Sequence, residues 1–288
     1  MFHTAADYTP EQTELIRAAT LTPATILGDY MDDLVVVGGL VPSLLIPPAA
    51  LPAGTDPHVG TMDLDLGLDL AILDDQRYEG IAERLKDSGF IPDTSEKGNE
   101  VRQRWTHSRN QLVKLEFLIP PVNEEAMPGR LQPLEQGLAA FIIPGLEVAF
   151  RDRIKVNISG ITLFGESTSR EIPVCNPGAF VVLKALAFRN RGKFKDAYDL
   201  YYMTRNYGKG TEDVATYLAP LMNTVPGCRA IEILREDFLD ERALGPMRVA
   251  LFATGFEDAD IQADVVGFIS ELLRVTGVLG RQERASVD

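Results

Sequence analysis

Residues 58–70 read HVGTMDLDLGLDL and contain Asp63, Asp65 and Asp69 set among leucines. In extended chain, successive side chains point to opposite faces. Asp63, Asp65, Gly67 and Asp69 then share one face, and Met62, Leu64, Leu66, Leu68 and Leu70 share the other. A calcium loop does not fit, because its carboxylates must converge through polar, glycine-turned coil. With a rise of about 3.3 Å per residue, the Cα atoms of Asp63 and Asp65 lie about 6.6 Å apart, close enough for both carboxylates to lean toward one divalent cation. Asp69 is about 20 Å from Asp63 on the same count, too far to share that ion. Two readings stay open: a solvated acidic face, or a strand that holds a metal. Without a cation, neighbouring carboxylates repel.

Other residues bear on that choice. The run LVVVGG ends in Gly38 and Gly39, and backbone N–H groups at such a turn can hold phosphate oxygens. In VKLEFLIP, Lys114 and Glu116 share a face opposite Val113, Leu115 and Phe117, so Glu116 is either a third carboxylate, the partner of Lys114, or a residue of an exposed strand face. From Lys184 to Lys195 the chain carries Lys184, Arg189, Arg191, Lys193 and Lys195 with no acid among them. Such a cluster is either a solvated helix end or a site for an anion. The stretch VRQRWTHSRNQLVK adds Arg102, Arg104, Arg109 and Lys114 beside Trp105 and His107. It is either a grip for a nucleic-acid strand or an exposed hairpin whose tryptophan packs inward. His3, His58 and His107 are isolated and show no ligand or base pattern.

These residues need elements to position them. Thr9, Pro10 and Gln12 form a helix start, with Pro at the first helical position. LVVVGG predicts a buried strand entering a turn, LVPSLLI a short helix, and PPAALPAGTDPHVG a loop. TMDLDLGLDLAIL predicts a strand and DQRYEGIAERLKDSGF a helix closed by Gly89. VRQRWTHS and QLVKLEFLIP predict a hairpin, and RIKVNISGITLFGE a second one turning at Ser159–Gly160. After Pro177 the pattern is helical, beginning with a helix–turn–helix over GAFVVLKALAFRNRGKFKDAYDLYYMTRNYG and ending in a frayed tail, RQERASVD. The expected organisation is an α/β domain over 1–172 followed by a helical domain over 173–288 packed on it.

Composition narrows the function classes. The 288 residues suffice for a substantial core. A net charge of −14 excludes a uniformly basic nucleic-acid surface, but not a local basic groove. The two cysteines, Cys175 and Cys228, lack metal spacing; two buried thiols in a reducing cytosol are expected. The N-terminus has no basic stretch followed by an apolar one, so a cytoplasmic location is expected. Residues 34–53 are uncharged over a membrane-spanning length, yet four prolines would break a spanning helix, so no membrane association is expected.

Taken together, GG after an apolar strand, then TMDLDL, then a lone acid on a later strand resembles the nucleotidyltransferase superfamily of the DNA polymerase β type. LKALAFRNRGKFKDAYDLYYM is similar to the lysine and KD…D helical motif of the AbiEii/AbiGii toxin nucleotidyltransferases, a group that includes the MenT toxins. The resemblance spans residues 34–205. Gly39 and Asp63 stand further apart than is usual in the superfamily, the excess being the proline-rich IPPAALPAGTDPHV. It implies a nucleotidyltransferase-type mixed sheet with flanking helices and a helical C-terminal part. It also implies Mg²⁺-dependent transfer of NMP from an NTP to an acceptor, an RNA such as a tRNA 3′ end, by a toxin restrained by an antitoxin protein. Asp63 and Asp65 would hold the metal, and Glu116 would hold a second metal or activate the attacking hydroxyl. Gly38, Gly39 and Thr61 would meet phosphates, Thr61 also being a candidate for regulatory phosphorylation. Lys184, Lys193 and Lys195 would neutralise the triphosphate and Asp196 would complete the site, whereas Asp199 would hold a lysine or a helix end. Two alternatives accompany this reading: a small-molecule acceptor such as an aminoglycoside, which an acidic surface would attract, and a catalytically inactive nucleotide-binding module.

Overall fold

The computed structural model describes residues 4–278 except 62, 70–74, 95–97, 99, 109, 122–128 and 136–137. Met62, Leu70, Arg109, His3 and the tail after residue 278 therefore lie outside the described residues. In chain order the elements are α1 (Pro10–Leu27), β1 (Leu34–Val37), α2 (Val41–Leu45), β2 (Asp63–Leu68), α3 (Asp75–Asp87), β3 (Phe90–Thr94), β4 (Glu100–His107), β5 (Asn110–Ile119), β6 (Leu131–Glu135), β7 (Leu138–Ile142), β8 (Ile154–Ile161) and β9 (Ser167–Val174). Six helices follow: α4 (Pro177–Arg191), α5 (Phe194–Asn206), α6 (Thr211–Leu218), α7 (Val225–Phe238), α8 (Leu244–Thr254) and α9 (Ala259–Val275). The fold is α/β, with a mixed open sheet, flanking helices and a helical C-terminal part. The chain divides into a sheet unit, Pro10–Val41 with Gly60–Cys175, and a helical unit, Met1–Thr9 with Pro42–Val59 and Asn176–Asp288.

In the sheet unit the strand order is β3-β4-β5-β2-β1-β9-β8, with β7 also paired to β5 and β6 to β7. Four β-branched or leucine residues make β1 a fully buried central strand. β2 is antiparallel to β1 and parallel to β5. Leu64, Leu66 and Leu68 are buried, as are Val113, Leu115, Phe117 and Ile119 on β5. The alternation is thus a core face and a polar face, and α1 and α3 are in contact in this unit, where Ile16, Ala19 and Leu27 of α1 and Ile81 and Leu85 of α3 are buried.

Three expectations are corrected. β8 runs unbroken through Ser159 and Gly160, and its partner is β9, so the hairpin turns at 162–166. Turn chemistry decides this: Thr162 Oγ1 accepts from the N–H of Phe164 and Glu166, and Gly165 supplies φ +83°. Strands β3, β6 and β7 have no counterpart in the sequence reading: each is only five residues long, and β3 and β6 are interrupted by Pro92 and Pro133. Of the cysteines, Cys175 is buried but Cys228 is exposed, and both are free thiols.

Trp105 is fully buried, so the β4–β5 hairpin presents no aromatic platform and the inward-packing reading of that stretch holds. Residues 34–53 resolve into β1, a 3₁₀ turn at Gly38–Leu40, α2 and a loop with a second 3₁₀ turn at Pro48–Ala50. Among the described residues, no helix is long and apolar enough to cross a membrane.

Candidate active site

Strand register builds an acidic corner in the sheet unit. Asp63 stands opposite Lys114 and Asp65 opposite Glu116 across the parallel β2–β5 pair. Glu116 in turn stands opposite Arg104 on β4, and Val37, the last residue of β1, opposite Asp65. Asp65, Glu116 and Arg104 are therefore neighbours in one row across three strands, about 4.8 Å between strands. Asp63 and Asp65 are half-buried.

Two glycines shape this corner. Gly38 has φ +74°, a left-handed conformation, and a Cβ placed on it would fall 1.9 Å from Asp65 Oδ2. The turn after β1 thus lets the Asp65 carboxylate lie against backbone. Gly67 lies further along the same face, and there a Cβ would meet Val35, Phe150 and Leu146 at 3.0–3.6 Å. The 3₁₀ segment Leu146–Phe150 covers the face at Gly67, so within β2 the acidic character is confined to the Asp63–Asp65 end.

Glu116 is engaged. Arg104 Nε donates to Glu116 Oε1 at 2.5 Å, and Arg104 Nη1 lies 3.7 Å from Asp93 Oδ2 on β3. Burial lowers the Arg104 pKa, but Glu116, Asp63 and Asp93 outweigh it and the net shift is upward. Lys114, beside Asp63 in register, makes no ion pair with a described residue. Among the described residues, no three His, Cys, Asp or Glu side chains are gathered into a ready cage for a metal. The donors nevertheless suit a hard divalent cation. Asp63 and Asp65 share one face two residues apart, Glu116 is lateral to Asp65, and Gly38 leaves room beside it.

The helical unit holds a second cluster, and it is buried. Asn176 caps α4 by accepting from Ala179 N–H, Gly192 ends the helix in the left-handed region, and α5 begins two residues later. That turn brings the two helices side by side. Lys184 Nζ donates to Asp196 Oδ1 at 3.0 Å and lies 2.7 Å from Asp199 Oδ2, where the alignment does not make a hydrogen bond. Arg191 grips Asp196 with two bonds of 2.7 Å, and Lys195 Nζ reaches Asp199 Oδ1 at 2.6 Å.

The segment 42–59, which includes most of α2, joins this cluster. His58 Nε2 is 2.9 Å from Asp199 Oδ1, and Ser43 Oγ is 3.2 Å from His58 Nδ1. The ring stacks on Tyr198 and meets Tyr202 edge-on, and the Tyr202 hydroxyl donates to the Asp56 carbonyl at 3.1 Å. Burial is the main reason the His58 pKa falls to about 4, helped by Lys195 and opposed by Asp199. The neutral ring then carries its proton on Nε2, since the Asp199 carboxylate can only accept, and Nδ1 accepts from Ser43. Burial would raise the Asp199 pKa, yet Lys184, Lys195 and the His58 bond hold it far below the carboxylate range. Asp196 is likewise lowered, Lys184 and Arg191 outweighing burial. Burial would lower the Lys184 pKa, but Asp199 and Asp196 outweigh it and the net shift is upward. Lys195 is lowered, its burial and Lys184 outweighing Asp199.

The structure thus brings Asp63, Asp65, Glu116 and Gly38 together in the sheet unit. Gly39 is buried in the turn that follows Gly38. Thr61 precedes β2 and is not part of the strand, so alternation does not set its direction. In the helical unit, Lys184, Lys195 and Asp196 form one network with Arg191, and Asp199 holds lysines as expected. Arg189 pairs with Glu236 and Asp237 on α7. Lys193, the exposed N-cap residue of α5, is the one cation of that segment without an ion pair to a described residue.

Sequence reasoning missed His58 and Arg104. Nothing in the sequence linked His58 to a residue 141 positions away. Arg104 could have been found by aligning the two hairpin strands, which places it opposite Glu116.

A family model described as "Nucleotidyl transferase AbiEii toxin, Type IV TA system" matches residues 50–276. The matched span includes both acidic strands and the α4–α5 pair, and begins after the Gly38–Gly39 turn. No curated protein matches the chain.

Proposed function

The chain belongs to the AbiEii nucleotidyl transferase toxin family of type IV toxin–antitoxin systems, and from that premise we propose that it transfers NMP from an NTP to an RNA acceptor, a tRNA 3′ end, with Mg²⁺ held by Asp63, Asp65 and Glu116. The observation that carries the reading is the acidic corner: two aspartates on one strand face, a glutamate lateral to the second, and a glycine turn that makes room for the Asp65 carboxylate.

When bound, the divalent cation supplies positive charge to the phosphate oxygens and to the departing pyrophosphate. The residues of the chain do the rest. Asp63 and Asp65 present hard oxygen donors from a rigid central strand, which fixes where the triphosphate lies. Gly38 and Gly39 offer backbone close to Asp65, where a side chain would block phosphate approach. Thr61, just ahead of β2, offers a hydroxyl to the same phosphates. Lys193, exposed and without an ion pair to a described residue, is the cation of its segment best able to meet a phosphate. Lys184, Lys195 and Asp196 are joined in one network, and on this reading their part is to fix α5 and Arg191.

The test incubates the protein with Mg²⁺, each labelled NTP and total tRNA, with Asp65→Ala as control and an aminoglycoside mixture as a second acceptor. Label on tRNA with wild type alone supports the reading. Label on the aminoglycoside alone, or equal labelling by wild type and Asp65→Ala, overturns it.

A further inference from the structure

In the acidic corner, one carboxylate of the proposed metal set already has a cation. The Arg104 guanidinium bonds Glu116 from its Nε, while its Nη1 lies 3.7 Å from Asp93. Two carboxylates on two different strands thus compete for the two ends of one planar group. We propose that Arg104 is the resident countercharge of this site: it holds Glu116 until a divalent cation takes that carboxylate, and Asp93 then keeps the guanidinium paired. The inference rests on the reading of Asp63, Asp65 and Glu116 as a metal set.

Three features support it. First, the row Asp65–Glu116–Arg104 is fixed by strand register, so Arg104 faces the same side as the acids. Second, Arg104 reaches carboxylates on both neighbouring strands, Glu116 on β5 and Asp93 on β3, which makes it a cation among acids and not the end of an isolated pair. Third, only a third of its side chain is exposed and only 15% of that of Glu116, so solvent screens the pair incompletely. A carboxylate held by a short charge-assisted bond is less available as a ligand, and a released arginine needs another acceptor. Asp93 meets that need without requiring a new contact. Arg104 would be a positioning residue acting through Glu116, setting how tightly the site takes a metal and keeping the acidic row from self-repulsion in its absence.

The experiment measures Mn²⁺ uptake by the full-length protein without nucleotide, using electron paramagnetic resonance of the free ion. Arg104→Gln removes the competitor and is expected to tighten Mn²⁺ binding about tenfold, the scale of one charge-assisted hydrogen bond. Arg104→Lys keeps a positive charge and is expected to stay within about threefold of wild type. Asp93→Asn removes the alternate partner and is expected to weaken uptake about threefold or more. Unchanged or weaker uptake by a natively folded Arg104→Gln overturns the inference. Should that variant not fold, unchanged uptake by Asp93→Asn overturns it. Equal uptake by wild type and Asp65→Ala would mean instead that the metal reading itself has failed.

Discussion

Gly38 and Asp65 share a space that admits only one of their side chains, since a Cβ on Gly38 would lie 1.9 Å from Asp65 Oδ2. Gly38→Ala must therefore displace the carboxylate, and at φ +74° it also strains the backbone. The expected cost is about 1–3 kcal/mol in stability and, on the proposed role of Asp65, about 100-fold or more in nucleotidyl transfer. Urea unfolding and pyrophosphate release measure the two. Full activity in a stably folded Gly38→Ala protein would show that the position of Asp65 does not matter.

The two acidic positions of the same face should separate in function. Asp65→Asn is expected to reduce transfer by about a thousandfold, because it removes a charged metal donor. Asp69→Asn is expected to stay within about threefold, because Asp69 lies beyond the end of β2, past the covered Gly67. Parallel kinetic assays decide, and equal losses would refute the assignment of the metal to the Asp63–Asp65 end.

The buried cluster should behave as structure. Asp199→Asn leaves Lys184 and Lys195 in a dry site with one charged acceptor fewer, and removing one partner of a buried pair costs about 3–5 kcal/mol. A thermal melt should show a drop of several degrees or more. An unchanged melting temperature would mean that the network is not what joins α4 to α5.

Stability should fall with mild acid because of His58. Its pKa is lowered to about 4 in the folded protein, against about 6.5 when unfolded. Between those values the unfolded chain binds a proton that the folded chain refuses, so stability rises with pH across the window and is lost as pH falls through it. The loss between pH 7 and pH 5 is about 2 kcal/mol. His58→Gln should flatten that slope in denaturant titrations at the two pH values. A slope of unchanged size in the variant would assign the effect elsewhere.

The parts of this architecture legible in the sequence were those set by local rules. β2 was readable because leucine alternates with aspartate or glycine through the whole strand, and β1 because a buried β-branched run ends in glycines. The α4–α5 pair is readable as a helix–turn–helix after Pro177. What could not be read depended on partners distant in sequence. The Ser159–Gly160 dipeptide is a strong turn signal by itself. The actual turn relies on a Thr162 hydroxyl whose bonds exist only once the strands pair. The five cations from Lys184 to Lys195 suggested an anion site because no acid lies among them. Four of them have acids from α5 or α7 as partners. Glu116 is legible on a polar strand face, and its partner Arg104 is found only by aligning the two hairpin strands, which composition alone does not do.

The chain passes between its two units four times, after residues 9, 41, 59 and 175. That routing has a consequence for the order of synthesis. His58 leaves the ribosome 141 residues before Asp199, and at about 5–20 residues per second this is an interval of roughly 7–30 seconds. Throughout it, segment 42–59 has been made but its docking helix has not. The sheet, too, must wait for β9 at residues 167–174 before β1 gains its second neighbour. The nascent polypeptide therefore completes neither unit early. A ribosome that stalls before α5 releases a chain in which the acidic strands exist and the lysine–aspartate network does not.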